Sequence, residues 1–169
     1  MCEMLKSIIA IIFGLSLLTA CGGGENKEAE MEPETNTETM AEESNEATLS
    51  IEGNDQMQYN KKELTVKAGA SVTLTLKHTG TMAAETMGHN WVLLKQGTDV
   101  ATFATAAVDA GMDNNYVPAA SSDVIAFTKV IGGGESTTLE FTAPAAGSYE
   151  FICSFPGHWA MMRGTLIVE

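Results

Sequence analysis

A run of ten residues near the C-terminus, from Cys153 to Met162, combines three kinds of side chain that bind soft metal ions. It reads Cys-Ser-Phe-Pro-Gly-His-Trp-Ala-Met-Met and offers a thiolate at Cys153, an imidazole at His158 and a thioether at Met162. Thiolate and imidazole together suit copper, and two His and one Cys with a long axial Met are typical of electron-transfer copper centres. The run therefore predicts a copper site that needs one more His.

The chain has three His residues, so the second imidazole has few candidates. His89 lies in the segment Gly-His-Asn-Trp-Val-Leu, at the start of a predicted strand. His78 ends another predicted strand and has no other metal donor near it in sequence. We therefore predict that His89 is the ligand and that His78 is structural. Trp91 faces the same side of its strand as His89, which predicts packing in the core.

Two of these assignments have competitors within the sequence. An isolated Cys is often an inert buried thiol, whereas Cys153 has His158 and Met162 at ligand spacing. Met161 is an alternative thioether next to Met162. Strand alternation favours Met162 as the ligand.

The two candidate segments resemble the copper-binding segments of azurins, which are members of the cupredoxin family. The resemblance rests on Gly-His-Asn-Trp-Val-Leu from Gly88, on Cys-Ser-Phe-Pro-Gly-His from Cys153, and on the following Met-Arg-Gly-Thr-Leu. The spacing C-x4-H-x3-M is similar to that of the azurin ligand loop, and the resemblance covers residues 48–169. It implies an all-β Greek-key β-sandwich, one copper ion and one-electron transfer.

The resemblance also implies a role for each ligand. His89, Cys153 and His158 would form a trigonal plane around the copper ion. Met162 would be the weak axial ligand, and the carbonyl of Gly88 would be a distant fifth contact.

Two further residues would support these ligands, according to the same resemblance. Asn90 would join the two ligand segments through hydrogen bonds. Its backbone N–H and that of Phe155 would point at the sulfur of Cys153. Groups of this kind orient metal ligands and tune the metal.

The resemblance further implies an apolar patch around His158 at which redox partners dock. In this sequence the patch would include Met87, Phe155, Trp159 and Met161. Rigid aromatic and Met side chains are enriched at binding surfaces. The alternative for Trp159 is that it folds back and covers the ligand loop.

The remaining pattern of residues 48–169 is typical of a β-sandwich. Short alternating segments separated by turn residues predict about eight strands. The segment from Thr98 to Asn115 has a spacing closer to that of a helix, which predicts a short helical insertion between strands. The clearest strand segments are Leu64–Val66, Val72–Leu76, Thr137–Phe141, Tyr149–Cys153 and Leu166–Val168.

The N-terminal residues predict export and a lipid anchor. Residues 1–20 combine Lys6 with a short apolar run and read as a signal peptide. The peptide ends in Leu-Thr-Ala before Cys21, which resembles a bacterial lipobox and predicts a lipidated Cys21. Residues 21–47 are acidic and predict a disordered tether. The copper domain at 48–169 would therefore be held on a bacterial membrane, facing the periplasm or the cell exterior.

Charge and composition exclude several functions. Residues 48–169 contain twelve acidic and seven basic residues, a net charge near −5, which argues against nucleic acid as a partner. Residues 48–169 contain a single Cys, so this domain has no internal disulfide. Three His residues are too few for a second metal site, so we do not expect an enzyme. Copper storage or delivery is the alternative function for the same ligands.

Overall fold

The strands and helices of this protein are taken from a computed structural model, which describes residues 45–169. Strand and helix bounds are β1 Glu46–Asn54, β2 Gln58–Tyr59, β3 Glu63–Val66, β4 Ser71–His78, α1 Ala84–Met87, β5 Val92–Leu94, α2 Val100–Ala110, 3-10 Met112–Asn114, β6 Val124–Phe127, β7 Ser136–Thr142, β8 Gly147–Ile152 and β9 Arg163–Val168.

The nine strands between residues 45 and 169 form two sheets. One sheet has the order β2-β1-β4-β7 and the other the order β3-β9-β8-β5-β6. Strand β1 pairs in parallel with β4, and β3 pairs in parallel with β9. The other pairings between strands are antiparallel. The predicted all-β sandwich is confirmed. It has nine strands within residues 45–169 where about eight were predicted, and β2 is too short to show alternation in the sequence.

The core lies between the sheets because each strand points every second side chain inward. In β4 the inward residues are Val72, Leu74 and Leu76, and all three are fully buried. Trp91 is also fully buried in this core, which confirms its predicted packing.

A second, smaller core lies on the outer face of β5 and β8, under helix α2. It contains Val92 and Ile152 from the strands and Phe103 and Ala107 from the helix. The helix begins after Asp99, whose carboxylate accepts a hydrogen bond from the Thr102 backbone N–H at 2.7 Å. The predicted helical insertion is therefore confirmed, and it covers a face of the sheet that would otherwise be exposed to water.

The N-terminal predictions concern residues that are mostly outside the described range. The signal peptide at residues 1–20, the lipidated Cys21 and residues 21–44 of the tether all lie there. Strand β1 begins at Glu46, two residues before the predicted domain start at Thr48. None of the helices formed by residues 45–169 is both long enough and apolar enough to cross a membrane.

Candidate metal centre

Three candidate ligands meet at one end of the sandwich, where β8 ends and β5 begins. Inward-facing Phe151 is followed two residues later by Cys153, and inward-facing Trp91 is preceded two residues earlier by His89. Because β5 and β8 pair in antiparallel fashion through Val92 and Ile152, the residues that follow β8 and those that precede β5 lie at the same end of the sheet, which brings Cys153 and His89 to that end.

The donor atoms of the three residues are close together. The ligand atoms of His89, Cys153 and His158 all lie within 4.8 Å of one another, and all three residues are buried. The Cys153 Sγ lies 3.6 Å from His158 Nδ1 and 4.0 Å from His89 Nδ1. Within residues 45–169, no carboxylate belongs to this cluster.

His89 is fixed on all sides by the fold. Its backbone N–H donates to the Ile131 carbonyl at 3.0 Å, and its Nε2 lies 2.9 Å from the Asn54 carbonyl oxygen. A neutral His that donates from Nε2 has its lone pair on Nδ1. The Asn54 carbonyl therefore selects the tautomer in which Nδ1 faces Cys153.

His78 lies behind His89 and contacts it as a flat stack. The ring centroids are 4.2 Å apart and the ring planes differ by 11°. His78 Nδ1 accepts from the Gly80 backbone N–H at 3.1 Å, so its Nε2 donates to the Met87 carbonyl at 2.8 Å. Both nitrogens of His78 are thus used within the fold, and the residue is fully buried.

The thiol of Cys153 is buried, and burial raises its pKa to about 12. The backbone N–H groups of Asn90 and Phe155 point at the sulfur and partly oppose this rise, because they stabilise the thiolate. The Gly88 carbonyl oxygen lies 4.0 Å from the same sulfur. Without a metal ion, Cys153 is therefore a protonated thiol at neutral pH.

The two imidazoles of the cluster are neutral at pH 7. Burial and the nearby His89 and His78 lower the pKa of His158 to about 4. Burial also lowers the pKa of His89, although its hydrogen bond to Asn54 opposes this. Neutral imidazoles keep the lone pairs that bind a metal.

Asn90 joins the two ligand segments. Its side-chain oxygen accepts from the Ser154 backbone N–H at 2.9 Å, and its amide nitrogen donates to the Ser154 hydroxyl at 2.8 Å. The same nitrogen donates to the Asn115 carbonyl at 2.7 Å. These contacts connect Asn90 to the segment of Cys153, through Ser154, and to the segment that follows helix α2.

Several supporting residues were not found by sequence reasoning. Tyr59 is buried and its hydroxyl donates to the Asn90 carbonyl. Asn115 and Tyr116 both adopt a left-handed backbone, with φ of 54° and 53°, and the Tyr116 carbonyl accepts from the Ser154 hydroxyl at 2.7 Å. A further hydrogen bond of 2.9 Å runs from the backbone N–H of Trp91 to the Thr128 hydroxyl. No spacing in the sequence indicates these contacts.

Met162 and Met161 differ in where the fold places them. Met162 is fully buried, and its carbonyl accepts from the Cys153 N–H at 2.8 Å. Met161 is 52% exposed. Of these two neighbouring thioethers, only that of Met162 is inside the molecule with the His and Cys side chains.

The residues of the predicted docking patch have mixed exposure. The Phe155 ring contacts His158, with centroids 4.6 Å apart, and is largely buried. Trp159 is half-buried against the second core, and the Arg163 guanidinium lies 6.0 Å from its ring centroid. Met87 is also half-buried, whereas Met161 projects from the surface.

The donor set fits copper. One thiol and two imidazoles in a buried cluster match the ligands of electron-transfer copper sites. Closed structural zinc sites use four Cys or His ligands, and the cluster supplies three.

Comparison with known proteins agrees with this chemistry. A family model described as "Copper binding proteins, plastocyanin/azurin family" matches residues 45–169. Azurin-1 from Alcaligenes xylosoxydans xylosoxydans is 50% identical over 125 residues, covering 72% of this chain and 96% of the relative. Azurin-2 from the same organism is 53% identical over 120 residues, covering 69% of this chain and 92% of the relative.

Solved structures show the same likeness. Auracyanin A, a "blue" copper protein from the green thermophilic photosynthetic bacterium Chloroflexus aurantiacus, has a TM-score of 0.67 at 38% identity. The similarity covers 73% of this chain and 99% of auracyanin A. The predicted resemblance and the predicted cofactor, one copper ion, are confirmed by these matches together with the His89, Cys153 and His158 cluster. This chain belongs to the plastocyanin/azurin family of copper-binding proteins.

Proposed function

We propose that this protein carries single electrons by means of one copper ion bound by His89, Cys153 and His158. Met162 would add a weakly bound thioether to this ligand set, and the Gly88 carbonyl would be a more distant contact. The observation that carries the proposal is the buried cluster, in which three donor atoms of copper-compatible type lie within 4.8 Å of one another. When bound, copper supplies the Cu(II)/Cu(I) couple.

The surrounding residues hold the ligands in one geometry. Asn54 orients His89. Asn90 joins the segment that contains Cys153 to the segment that contains His89. The N–H groups of Asn90 and Phe155 stabilise negative charge on the sulfur. A site that is held in this way has little to rearrange when the charge of the metal changes, which favours fast electron transfer.

Redox partners dock around His158 in this proposal. Met161 is exposed and Phe155 contacts the His158 ring, so an apolar surface lies close to one ligand. Trp159 and Met87 are half-buried, so each exposes part of its side chain. Exposed apolar side chains next to a redox centre suit short-lived complexes between proteins.

The protein works outside the cytoplasm, on a bacterial membrane, in this proposal. The apolar run before Cys21 and the resemblance to a lipobox support lipidation of that residue. Two or more acyl chains hold a protein stably at a bilayer. A Cys21→Ser variant that remains in the membrane fraction would contradict this anchor.

The alternative from another class is copper storage or delivery. A delivery protein has to release its metal, whereas the three ligands here are at most 3% exposed. The proposed role is also not that of an enzyme, because the cluster uses two of the three His residues of the chain.

The decisive experiment uses the purified, copper-loaded protein. An intense visible band from thiolate-to-copper charge transfer tests the ligand set, with the zinc-loaded protein as the colourless control. Electron self-exchange and copper loss to a chelator are then measured on the same sample. Fast self-exchange with slow copper loss supports electron transfer, and the reverse supports delivery.

A further inference from the structure

Gly53 lies near the end of β1, next to two of the proposed ligands. A methyl group built on its Cα would lie 2.6 Å from the Met162 Cε and 2.7 Å from the His89 Cδ2. Carbon atoms that are not bonded to each other prefer a separation of about 3.5–4.0 Å. Any side chain at this position would therefore collide with both residues.

Position 53 requires glycine because there is no room for a side chain, and not because of its backbone conformation. Gly53 is not among the described residues with a positive φ, and it pairs as an ordinary strand residue with His78 and Tyr59. Its carbonyl accepts from the backbone N–H of Thr79 at 2.8 Å and from the Thr79 hydroxyl at 3.0 Å. The backbone at Gly53 is thus held from both sides and cannot easily withdraw.

Of the two side chains that a methyl group on Gly53 would meet first, Met162 is the one that can move. His89 is held by Asn54, by Ile131 and by its stack on His78. Met162 ends in a thioether on an unbranched side chain with three rotatable bonds, which adapts readily to its surroundings. A larger residue at position 53 would therefore move the end of the Met162 side chain.

We propose that Gly53 positions Met162 at the metal centre, by leaving the space in which the Met162 methyl group lies beside the His89 ring. This inference rests on the proposed function, in which the sulfur of Met162 is the axial ligand. Gly53 is a positioning residue, because it offers no donor of its own. It sets how closely the axial sulfur approaches the metal, and thereby tunes the reduction potential.

The test compares Gly53→Ala with Gly133→Ala. A methyl group on Gly133 would lie 2.5 Å from the Thr81 carbonyl carbon, so this control also creates a collision, but with none of the proposed ligands. We expect both variants to lower the midpoint of denaturant unfolding of the copper-free protein. Only Gly53→Ala should shift the reduction potential and the visible and paramagnetic resonance spectra of the copper form.

A second comparison separates Met162 from His89. In a Met162→Ala background the methyl group of Gly53→Ala still meets the His89 ring but no longer displaces Met162, so we expect a clearly smaller further shift of the potential. A further shift of equal size would assign the effect to His89 and overturn the proposal. If Gly53→Ala does not fold, folding of the double variant would support Met162 as the displaced side chain, and failure of the double variant to fold would assign the collision to His89 and overturn the proposal.

The copper-free protein supplies a readout that does not depend on the function. The Met162 methyl resonance, measured by carbon-13 labelling of Met, should move in Gly53→Ala and stay in place in Gly133→Ala. An unmoved resonance, or an unchanged potential while the wild type is blue, refutes the role of Gly53. A wild type that lacks the intense band, together with a moved resonance, refutes the proposed function and supports the placement of Met162.

Discussion

The two imidazoles of the cluster differ in how the fold holds them. His89 is fully buried, its Nε2 contacts the Asn54 carbonyl, and its ring stacks on His78. His158 lies in the turn after β8 and packs on Phe155, and among residues 45–169 no hydrogen bond reaches its Nε2. It remains 3% exposed, beside the exposed Met161.

The two residues therefore have different roles, although the Nδ1 atom of each faces the Cys153 sulfur. His89 is part of the structural core, so it fixes the site to the sandwich. His158 closes the site on the side of the surface. A partner that docks at Met161, as proposed, would therefore lie closer to His158 than to His89.

The largest expected effect concerns Cys153, which both imidazoles face. Cys153→Ser should abolish the intense visible band, because a hydroxyl is a poor soft ligand and is not ionised at neutral pH. The measurement is an absorption spectrum of the copper-loaded variant, with bound metal determined separately. A variant that stays strongly coloured would show that another residue supplies the thiolate. The two imidazoles would then not share Cys153 as their common partner.

Copper affinity should rise about tenfold for each pH unit around neutrality, because one proton leaves per ion bound. The sign follows from the thiol, whose pKa is raised to about 12, so that it holds its proton until the metal displaces it. Both imidazoles are mostly neutral at pH 7 and above, since the pKa of His158 is lowered to about 4 and that of His89 is lowered below its usual value by burial. Competition with a chelator between pH 7 and pH 9 measures the slope. A slope near zero would mean that Cys153 is already ionised.

Truncation of the two imidazoles should have unequal effects on the copper-free fold. His89→Ala should lower the free energy of unfolding by about 3 kcal/mol, because it opens a cavity and leaves the Asn54 carbonyl unpaired. His158→Ala should cost about 1 kcal/mol, since its space lies near the surface and can fill with water. Denaturant unfolding of both copper-free variants checks this. Equal losses would remove the distinction between a core ligand and a surface ligand.

The axial position gives a smaller effect. Met162→Gln should keep the copper ion but lower the reduction potential, because an oxygen donor favours Cu(II) over Cu(I). Met161→Gln is the matched control, since Met161 is 52% exposed and should leave the potential almost unchanged. Voltammetry on both variants makes the test. A larger shift in the control would transfer the axial role to Met161.

The smallest expected effect concerns the proposed docking surface near His158. Trp159→Ser should leave the spectrum and the potential nearly unchanged but slow electron transfer to a physiological partner by about threefold, about 0.7 kcal/mol of docking energy. Stopped-flow rates across partner concentrations measure it. Because Trp159 is half-buried against the second core, faster copper loss in the variant would favour the covering role instead.

The sequence allowed the fold class to be predicted from local alternation, and the ligand cluster from the ten-residue run at Cys153 together with the small number of His residues and the resemblance to azurins. Alternation in β4 shows the core-facing residues, and Cys153 and His158 are close in the chain. The contacts of Asn90 with Asn115, and of Tyr59 with Asn90, could not be predicted in this way. They join residues 25 and 31 positions apart and depend on how the helical insertion and the first strands pack. The parallel pairing of β1 with β4 is likewise a property of the whole sandwich.

The distribution of ligands along the chain affects how copper and folding are linked. Cys153, His158 and Met162 lie within ten residues, whereas His89 is 64 positions before Cys153. An unfolded chain therefore keeps a short copper-binding peptide but loses His89 from it. A ligand that also binds the unfolded chain stabilises the fold only by the difference between the two affinities. Copper should accordingly raise the unfolding temperature by less than its affinity for the native site would suggest.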